Sequence, residues 1–420
     1  MEQIGKLVAD AVLGIDTLWG GDVLCASGTG RFIADSWFSD EPLPAAYTIP
    51  PAGRIRQAGG VTGKESNKKD VEEYVAQIDL PGIAKEIRKG GAKIGGLRGS
   101  YLVGLAGCVE VMWELALEVL GRGAPVSYER CVEASTGRAP KKSKPEAKRE
   151  RVGELLRRAG YVFEGENGIL SAVDAWRLER LVPMASVRAL GNAVIAHYDR
   201  LCEKNLAPHL PKEFVGVPRA NIEFLPIKDA WFSGSMNYIG RARNKDGSPK
   251  YEATYEVNAS LKMSVPEFEQ LVSHEVVPGH VTTFAYLQNL YVRRLAGFEA
   301  TVLTMNTRAA TLFEGIANNA ILIAHGVTSV NQLPDEDLQI GVYLALLQDD
   351  AKNQASYLTW NEKMPREEVA RILRRPAYRA GTERVAELRR SFPAEKVLPA
   401  LYGCKGLVDV ETVGDAIAAG

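Results

Sequence analysis

The sequence predicts a mainly α-helical protein with one small antiparallel β-hairpin or sheet beside an active-site cleft. A helical pattern of apolar residues runs from about residue 69 to 120, and another covers residues 306–326. A further helix begins at Ser264 with "SVPEFEQLVSHEVV", where Ser264 and Glu267 have the spacing of a capping box. In contrast, apolar and polar residues alternate strictly from 251 to 257, which is the period of a half-buried strand. The turn-rich hexapeptide "NKDGSP" precedes that strand and predicts the hairpin.

The composition is that of an ordinary globular protein, because 46% of the 420 residues are hydrophobic and 25% are charged. A net charge of −1 gives no reason to expect nucleic acid or a membrane as a partner. The acidic N-terminal stretch does not resemble a signal peptide. The five cysteines are odd in number and scattered, so we expect buried thiols and a cytoplasmic location.

Two regions are predicted within one compact unit. Residues 1–215 form a mostly helical region that walls the cleft, and residues 216–420 form the catalytic region. Residues 18–63 are rich in Gly, Pro and Ser and predict irregular segments. The lysine-rich segment 137–150 is typical of a solvated loop, with an anion contact as the alternative, because glutamates are interleaved with its lysines.

The stretch "HEVVPGH" (274–280) carries the chemistry of this sequence. It resembles the zinc signature H-E-x-x-H, except that Pro278 and Gly279 displace the second histidine to position 280. On an unbroken helix, His274 and His280 would lie about 120° from alignment. Proline cannot continue a helix without disturbing it, so we predict a widened turn that returns His280 to the face of His274.

A catalytic zinc needs a third protein ligand and an open position for water. Glu314 lies in an apolar helical pattern, where an acid is costly to bury unless it is paired or bound to a cation. Antiparallel packing of the two helices would bring Glu314 to the histidines, and Glu275 would then act as general base. The alternative is a helix stopped by Pro-Gly, with two histidines favoured by the helix dipole.

The motif H-E-x-x-P-G-H, the later "LFEGIA" (312–317) and "YRAG" (378–381) resemble the DUF885 group of predicted zinc metallopeptidases, in the gluzincin class. The resemblance covers roughly the last 180 residues. It implies a helical gluzincin-like catalytic unit, with His274, His280 and Glu314 as zinc ligands. It further implies that Glu275 is the base and that Tyr378 donates to the oxyanion or contacts the substrate.

Four further residues are predicted to support the site. Asn318 lies one turn after Glu314 and is predicted to hydrogen-bond that carboxylate or a ligand histidine. Arg375 and Arg379 lie beside Tyr378 in a basic stretch, and guanidinium groups match carboxylates bidentately. Tyr255 belongs to the predicted strand, which is expected to bind an extended substrate by edge pairing.

These expectations combine into one function and two rivals. The protein is predicted to be a zinc-dependent hydrolase, with one Zn²⁺ per chain, that cleaves an amide or peptide bond in a small carboxylate-bearing substrate. Two histidines and a carboxylate also form the metal site of non-haem iron(II) oxygenases. Glu275 favours hydrolysis, because an oxygenase needs no base beside its first ligand. The second rival is a divergent metal-binding protein without peptidase activity.

Overall fold

The computed structural model describes residues 3–19, 24, 45–58, 67–214, 221–227, 234–258, 262–301 and 308–379. It confirms a mainly helical fold. The helices are α1 (Gln3–Trp19), α2 (Ala52–Ala58), α3 (Lys68–Gln77), α4 (Leu80–Ile94), α5 (Gly96–Val119), α6 (Tyr128–Thr136), α7 (Glu146–Arg158), α8 (Gly165–Glu179), α9 (Val187–Asn205), α10 (Val265–Glu275), α11 (His280–Val292), α12 (Arg308–His325), α13 (Glu336–Ser356), α14 (Arg366–Leu373) and α15 (Pro376–Arg379). The strands are β1 (Asn221–Ile227), β2 (Gly234–Ile239) and β3 (Glu252–Asn258).

The predicted hairpin is confirmed, and it belongs to a larger sheet. Strands β2 and β3 pair antiparallel, with Tyr238 opposite Ala253. Strand β1 pairs with β3 in parallel on the other side, so the order is β1-β3-β2. We did not predict β1, which contains Pro226 and pairs with a strand about 30 residues away. Here β1 lies at an edge of the sheet, where a proline is tolerated.

The sheet order corrects one prediction about substrate binding. Strand β3 is the middle strand, so both of its edges are already hydrogen-bonded to neighbours. A substrate cannot add a strand to an edge that is occupied. The expectation of edge pairing at residues 251–258 is therefore wrong.

Helix α13 joins the two predicted regions of the chain. It packs against α7 from the first region and against α10 from the second. Its residues Ile340, Leu344 and Leu347 share one buried cluster with α7 and α8. Val342, from the same helix, packs in the cluster that surrounds α10. One helix thus anchors the element that carries the "HEVVPGH" motif.

The segment 137–150 is largely an exposed loop that leads into α7, as its lysines predicted, but part of it is also held against α13. Asn353 Nδ2 of α13 donates to the Lys141 carbonyl at 3.0 Å and to Ser143 Oγ at 2.8 Å. Lys148 Nζ lies 2.7 Å from Asp350 Oδ2, and the Asp350 side chain is only 5% exposed. Buried polar groups require partners, and this segment supplies them to the polar side of α13.

Three cysteines are buried thiols outside any disulfide, as predicted: Cys108, Cys131 and Cys202. Cys25, Cys404 and most of the irregular segment 18–63 lie outside the described residues. Among the helices that the structure describes, none has the length and apolar character needed to cross a membrane.

Candidate metal centre

Helix α10 begins as the sequence predicted. Ser264 Oγ accepts from the Glu267 backbone N–H at 3.3 Å, and the Ser264 N–H donates to Glu267 Oε2 at 3.1 Å. This reciprocal capping box satisfies backbone groups that the first turn leaves unpaired. Arg177 of α8 donates to the same Glu267 carboxylate at 2.6 Å. The start of α10 is therefore held firmly, and its last turn carries His274 and Glu275.

The chain between the two histidines differs from the predicted widened turn. Helix α10 ends at Glu275 and a separate helix, α11, begins at His280. Proline has no N–H to donate and its ring opposes the carbonyl four residues back, which explains why the first helix stops. The junction is closed by two backbone bonds, from the Gly279 N–H to the Ser273 carbonyl at 3.1 Å and from the Thr282 N–H to the Val276 carbonyl at 3.2 Å.

Gly279 is required by the close approach of the backbone at this junction. A Cβ at position 279 would lie 1.7 Å from the carbonyl oxygen of His274, far inside the contact distance. The φ of Gly279 is −70°, so the need is for space and not for a left-handed conformation. The missing side chain lets His280 approach the end of α10 directly.

The structure brings three predicted ligands together. His274 Nε2 lies 3.4 Å from Glu314 Oε2, and His280 Nε2 lies 3.5 Å from the same oxygen. The two imidazole rings are perpendicular, with centroids 4.8 Å apart. All three residues are at most 9% exposed. Helix α12, which carries Glu314, packs against both α10 and α11.

The two nitrogen–oxygen separations are compatible with ligands of a single zinc ion. Zinc binds imidazole nitrogen and carboxylate oxygen at about 2.0–2.2 Å with tetrahedral angles, which places neighbouring ligand atoms about 3.3–3.5 Å apart. The two measured nitrogen–oxygen distances lie within that range. The chemistry of the donors agrees as well, since imidazole and carboxylate are common zinc ligands.

Glu275 borders this group without being buried in it. Its carboxylate lies within 4.8 Å of the ligand atoms of His274 and His280, and the residue is half-buried. Glu314 is the better third ligand, because one of its oxygens is close to both histidines and is shielded from water. Glu275 is the more exposed of the two carboxylates.

Tyr255 is a neighbour of Glu275 and not an exposed substrate contact. It is 0% exposed in the middle strand of the sheet. Burial raises the pKa of its hydroxyl well above the usual value, and the negative charge of Glu275 raises the pKa further. A side chain with no exposed surface cannot touch a substrate, so the predicted substrate role of Tyr255 is not supported by its position.

An aromatic group that the sequence reasoning missed supports His280. The Phe284 ring stacks on the His280 ring with centroids 5.7 Å apart and an interplanar angle of 26°. Phe313 and Tyr238 approach Phe284 edge-on at 5.7 and 5.9 Å. The available signal was spacing: Phe284 follows His280 by one helical turn, and Phe313 precedes Glu314.

Asn318 bonds to a residue that was not predicted. Its side-chain N–H donates to Asp349 Oδ2 of α13 at 3.3 Å, and Lys352 Nζ donates to the other Asp349 oxygen at 3.0 Å. Asp349 is 8% exposed. The polar run "QDDAKNQ" within an apolar helix could have indicated this buried network. A direct bond from Asn318 to Glu314 or to a ligand histidine stays a prediction.

Tyr378 lies in a different buried cluster from the histidines. It packs with Leu358, which follows α13, with Leu373 of α14, and with other residues of these two helices. Burial raises the pKa of its hydroxyl, and the carboxylates of Glu146 and Asp350 raise it further. These neighbours favour a neutral phenol, but they do not tie Tyr378 to the metal ligands.

The predicted arginines are placed at the surface near Tyr378. Arg375 is exposed and Arg379 is half-buried. The last two residues of the "YRAG" element, Ala380 and Gly381, lie outside the described residues. The roles of Tyr378, Arg375 and Arg379 toward a substrate stay predictions.

Comparison with known proteins provides no family for this chain. No family model matches it, and no curated protein matches. One similar solved structure, with a TM-score of 0.48 and 14% identity, is described as "the putative lipoprotein from Colwellia psychrerythraea"; the alignment covers 85% of this chain and 65% of that one. Another, described as "a putative lipoprotein of unknown function from Shewanella oneidensis", has a TM-score of 0.49 and 14% identity, with coverage of 96% and 77%.

These findings correct the resemblance drawn from the sequence. The assignment to the DUF885 metallopeptidases is wrong, since no family model and no curated protein supports it. The metallopeptidase and gluzincin expectations are withdrawn with it. The error arose because the resemblance depended on a short motif and a few scattered elements. These contain the candidate ligands but do not determine the family of the whole protein. The expectation of a cytoplasmic location gains no support either.

Proposed function

We propose that this protein is a zinc-dependent hydrolase that cleaves an amide bond in a small, carboxylate-bearing substrate. The observation that carries the proposal is the convergence of His274 Nε2 and His280 Nε2 on one oxygen of Glu314, at 3.4 and 3.5 Å. Two histidines and one carboxylate, contributed by three helices, are the ligands of a catalytic zinc with an open position.

The proposed roles of these residues follow from how deeply each side chain is buried. His274, His280 and Glu314 are buried and would hold the ion. A zinc ion held there would polarise a carbonyl group and would lower the pKa of a water molecule enough to supply a nucleophile near neutral pH. Glu275 is half-buried beside the ligands, so its carboxylate can accept the proton that the water loses. Phe284 fixes the plane of the His280 ring by stacking.

Glu275 also supports hydrolysis over oxygenase chemistry. The same three ligands suit an iron(II) site, but that reaction has no use for a carboxylate beside the first histidine. The expectation that the substrate carries a carboxylate has weaker support. It depends on Arg375 and Arg379, of which the first is exposed and available for binding.

Metal content and turnover test this proposal together. The full chain is purified without added metal, its metals are quantified by mass spectrometry, and it is assayed on a panel of N-acyl amino acids and short peptides. We expect about one zinc per chain, loss of turnover after chelation, and recovery with added zinc. Bound iron with oxygen-dependent turnover, or a metal-loaded protein that cleaves no member of the panel, would contradict it.

A further inference from the structure

The hairpin of α4 and α5 ends in an exposed apolar tip. Residues 92–97 are all exposed, and Leu97 is 93% exposed while Ile94 is 43% exposed. The tip is not needed to hold the two helices together. Gly91 and Gly99 already bring their backbones into contact, since a Cβ on Gly99 would lie 2.4 Å from the Gly91 carbonyl oxygen. Packing within the hairpin therefore does not explain the exposed leucine.

Basic residues line the outer face of α4 up to this tip. Lys85, Lys89 and Lys93 recur every four residues and are all exposed, so they share one helical face. Lys89 lies 3.7 Å from Glu86. Within the part of the chain that the structure describes, Lys85 and Lys93 form no ion pair. The net charge of −1 for the whole chain conceals this local excess of positive charge.

A groove of about 540 Å³ opens beside the tip. Ala92 and Gly95 line its end at the tip, and Arg88 and Arg308 line its walls. Arg88 pairs with Glu110 at 2.5 Å, and Arg308 donates to two carbonyls at the end of α6 at 3.2 and 3.4 Å. Their guanidinium groups thus have fixed positions, and each retains further N–H donors for an anionic group.

We infer that the α4–α5 hairpin binds the surface of an anionic lipid bilayer. Leu97 and Ile94 enter the boundary between headgroups and acyl chains, as the apolar face of an interfacial helix does. The lysines of α4 are attracted to the negative surface, and the groove receives a headgroup phosphate between Arg88 and Arg308. An apolar tip flanked by positive charge is complementary to such a surface, whereas a protein partner would require a larger apolar area.

Vesicle binding of the full chain tests the inference. The protein is sedimented with vesicles of phosphatidylcholine alone and with vesicles that contain phosphatidylglycerol in addition. We expect binding to the anionic vesicles that is at least about tenfold stronger and that is released by about 1 M salt, where screening is nearly complete. Equal binding to both kinds of vesicle, or no binding to either, would overturn the proposal.

Two exposed positions provide matched variants. Leu97→Ser should weaken binding to anionic vesicles about tenfold, because one buried leucine is lost from the interface. Val162→Ser is the control, since Val162 is 97% exposed between α7 and α8, outside the α4–α5 hairpin, and its loss should leave binding unchanged. Both variants should keep the wild-type circular dichroism and melting temperature, so that a change in binding is not a change in folding.

The lysines have a matched control as well. Lys93→Gln should weaken binding to anionic vesicles several-fold and leave binding to neutral vesicles unchanged, because about 1 kcal/mol per basic residue corresponds to about fivefold. Lys245→Gln removes an exposed lysine in the β2–β3 turn and should have no effect. If Leu97→Ser instead alters the oligomeric state in the absence of vesicles, the tip is a contact between copies of this chain and the membrane proposal is wrong.

Discussion

The α4–α5 and α10–α11 junctions each join two helices through glycine, but the glycines serve opposite purposes. Gly95 and Gly96 have φ values of +69° and +59°, and among the described residues no contacting atom lies within 4 Å of a Cβ at either position. Gly279 has an ordinary φ of −70°, and its Cβ would lie 1.7 Å from the His274 carbonyl oxygen. The first junction uses glycine for its conformation, and the second uses it for the space.

This difference bears on the proposed metal site, because the two junctions differ in burial. The α4–α5 turn is exposed, so its backbone is solvated and its side chains point to water. The residues from 276 to 280 are all buried, and the backbone of α11 rests on the last turn of α10. Close contact between the two helix ends fixes the distance between His274 and His280. The geometry of the ligands is therefore a consequence of packing at Gly279.

The largest expected effect is the loss of metal from a ligand variant. His280→Ala removes one of three protein ligands, so we expect it to lose most of the zinc and, with it, turnover. His209→Ala is the control, because His209 is exposed and lies outside the site. Metal analysis by mass spectrometry gives the readout. Full zinc occupancy in His280→Ala would mean that the two helix ends do not share an ion.

The second-largest expected effect is that of removing the proposed base, Glu275. This residue is half-buried, whereas the three proposed ligands are buried. Glu275→Gln keeps the shape of the side chain but cannot accept a proton. Turnover should fall about 100-fold or more while the zinc content stays at one per chain. The measurement pairs kcat with metal analysis of the same sample. Loss of zinc in this variant would identify Glu275 as a ligand in place of Glu314.

The two glycines can be compared directly through stability. Gly279→Ala should lower the free energy of unfolding by about 3 kcal/mol, because the added methyl group meets backbone that cannot move without shifting a helix. Gly96→Ala should lower the free energy of unfolding by only about 1 kcal/mol. The added methyl group meets open space, so only the positive φ of this residue disfavours the substitution. Urea denaturation of both variants measures the difference. Equal costs would show that Gly279 is also a conformational glycine, and the comparison would fail.

The sequence predicted those parts of the fold and site that depend on local rules. The capping box at Ser264 and the β2–β3 hairpin follow from spacing and turn chemistry over a few residues, and α12 follows from its helical pattern. The division into two separate helices, α10 and α11, could not be predicted, because a proline indicates that a helix is interrupted but not how the chain continues. Strand β1 and the docking of residues 137–150 on α13 depend on partners about 30 and 210 residues away. Asp349 was missed for the same reason.

The smallest expected effect concerns the region around Tyr378, which the structure does not tie to the junction. If Arg375 or Arg379 binds a substrate carboxylate, amidating that carboxylate should lower kcat/KM about tenfold, which corresponds to about 1.4 kcal/mol. Arg375→Ala should reduce the ratio of kcat/KM for the free substrate to kcat/KM for the amidated substrate. Arg371→Ala is the control, because Arg371 is exposed and lies 3.4 Å from Glu368 on the same helix. An unchanged ratio in Arg375→Ala and in Arg379→Ala would assign this basic stretch to the solvated surface and leave substrate selection to the residues around α10, α11 and α12.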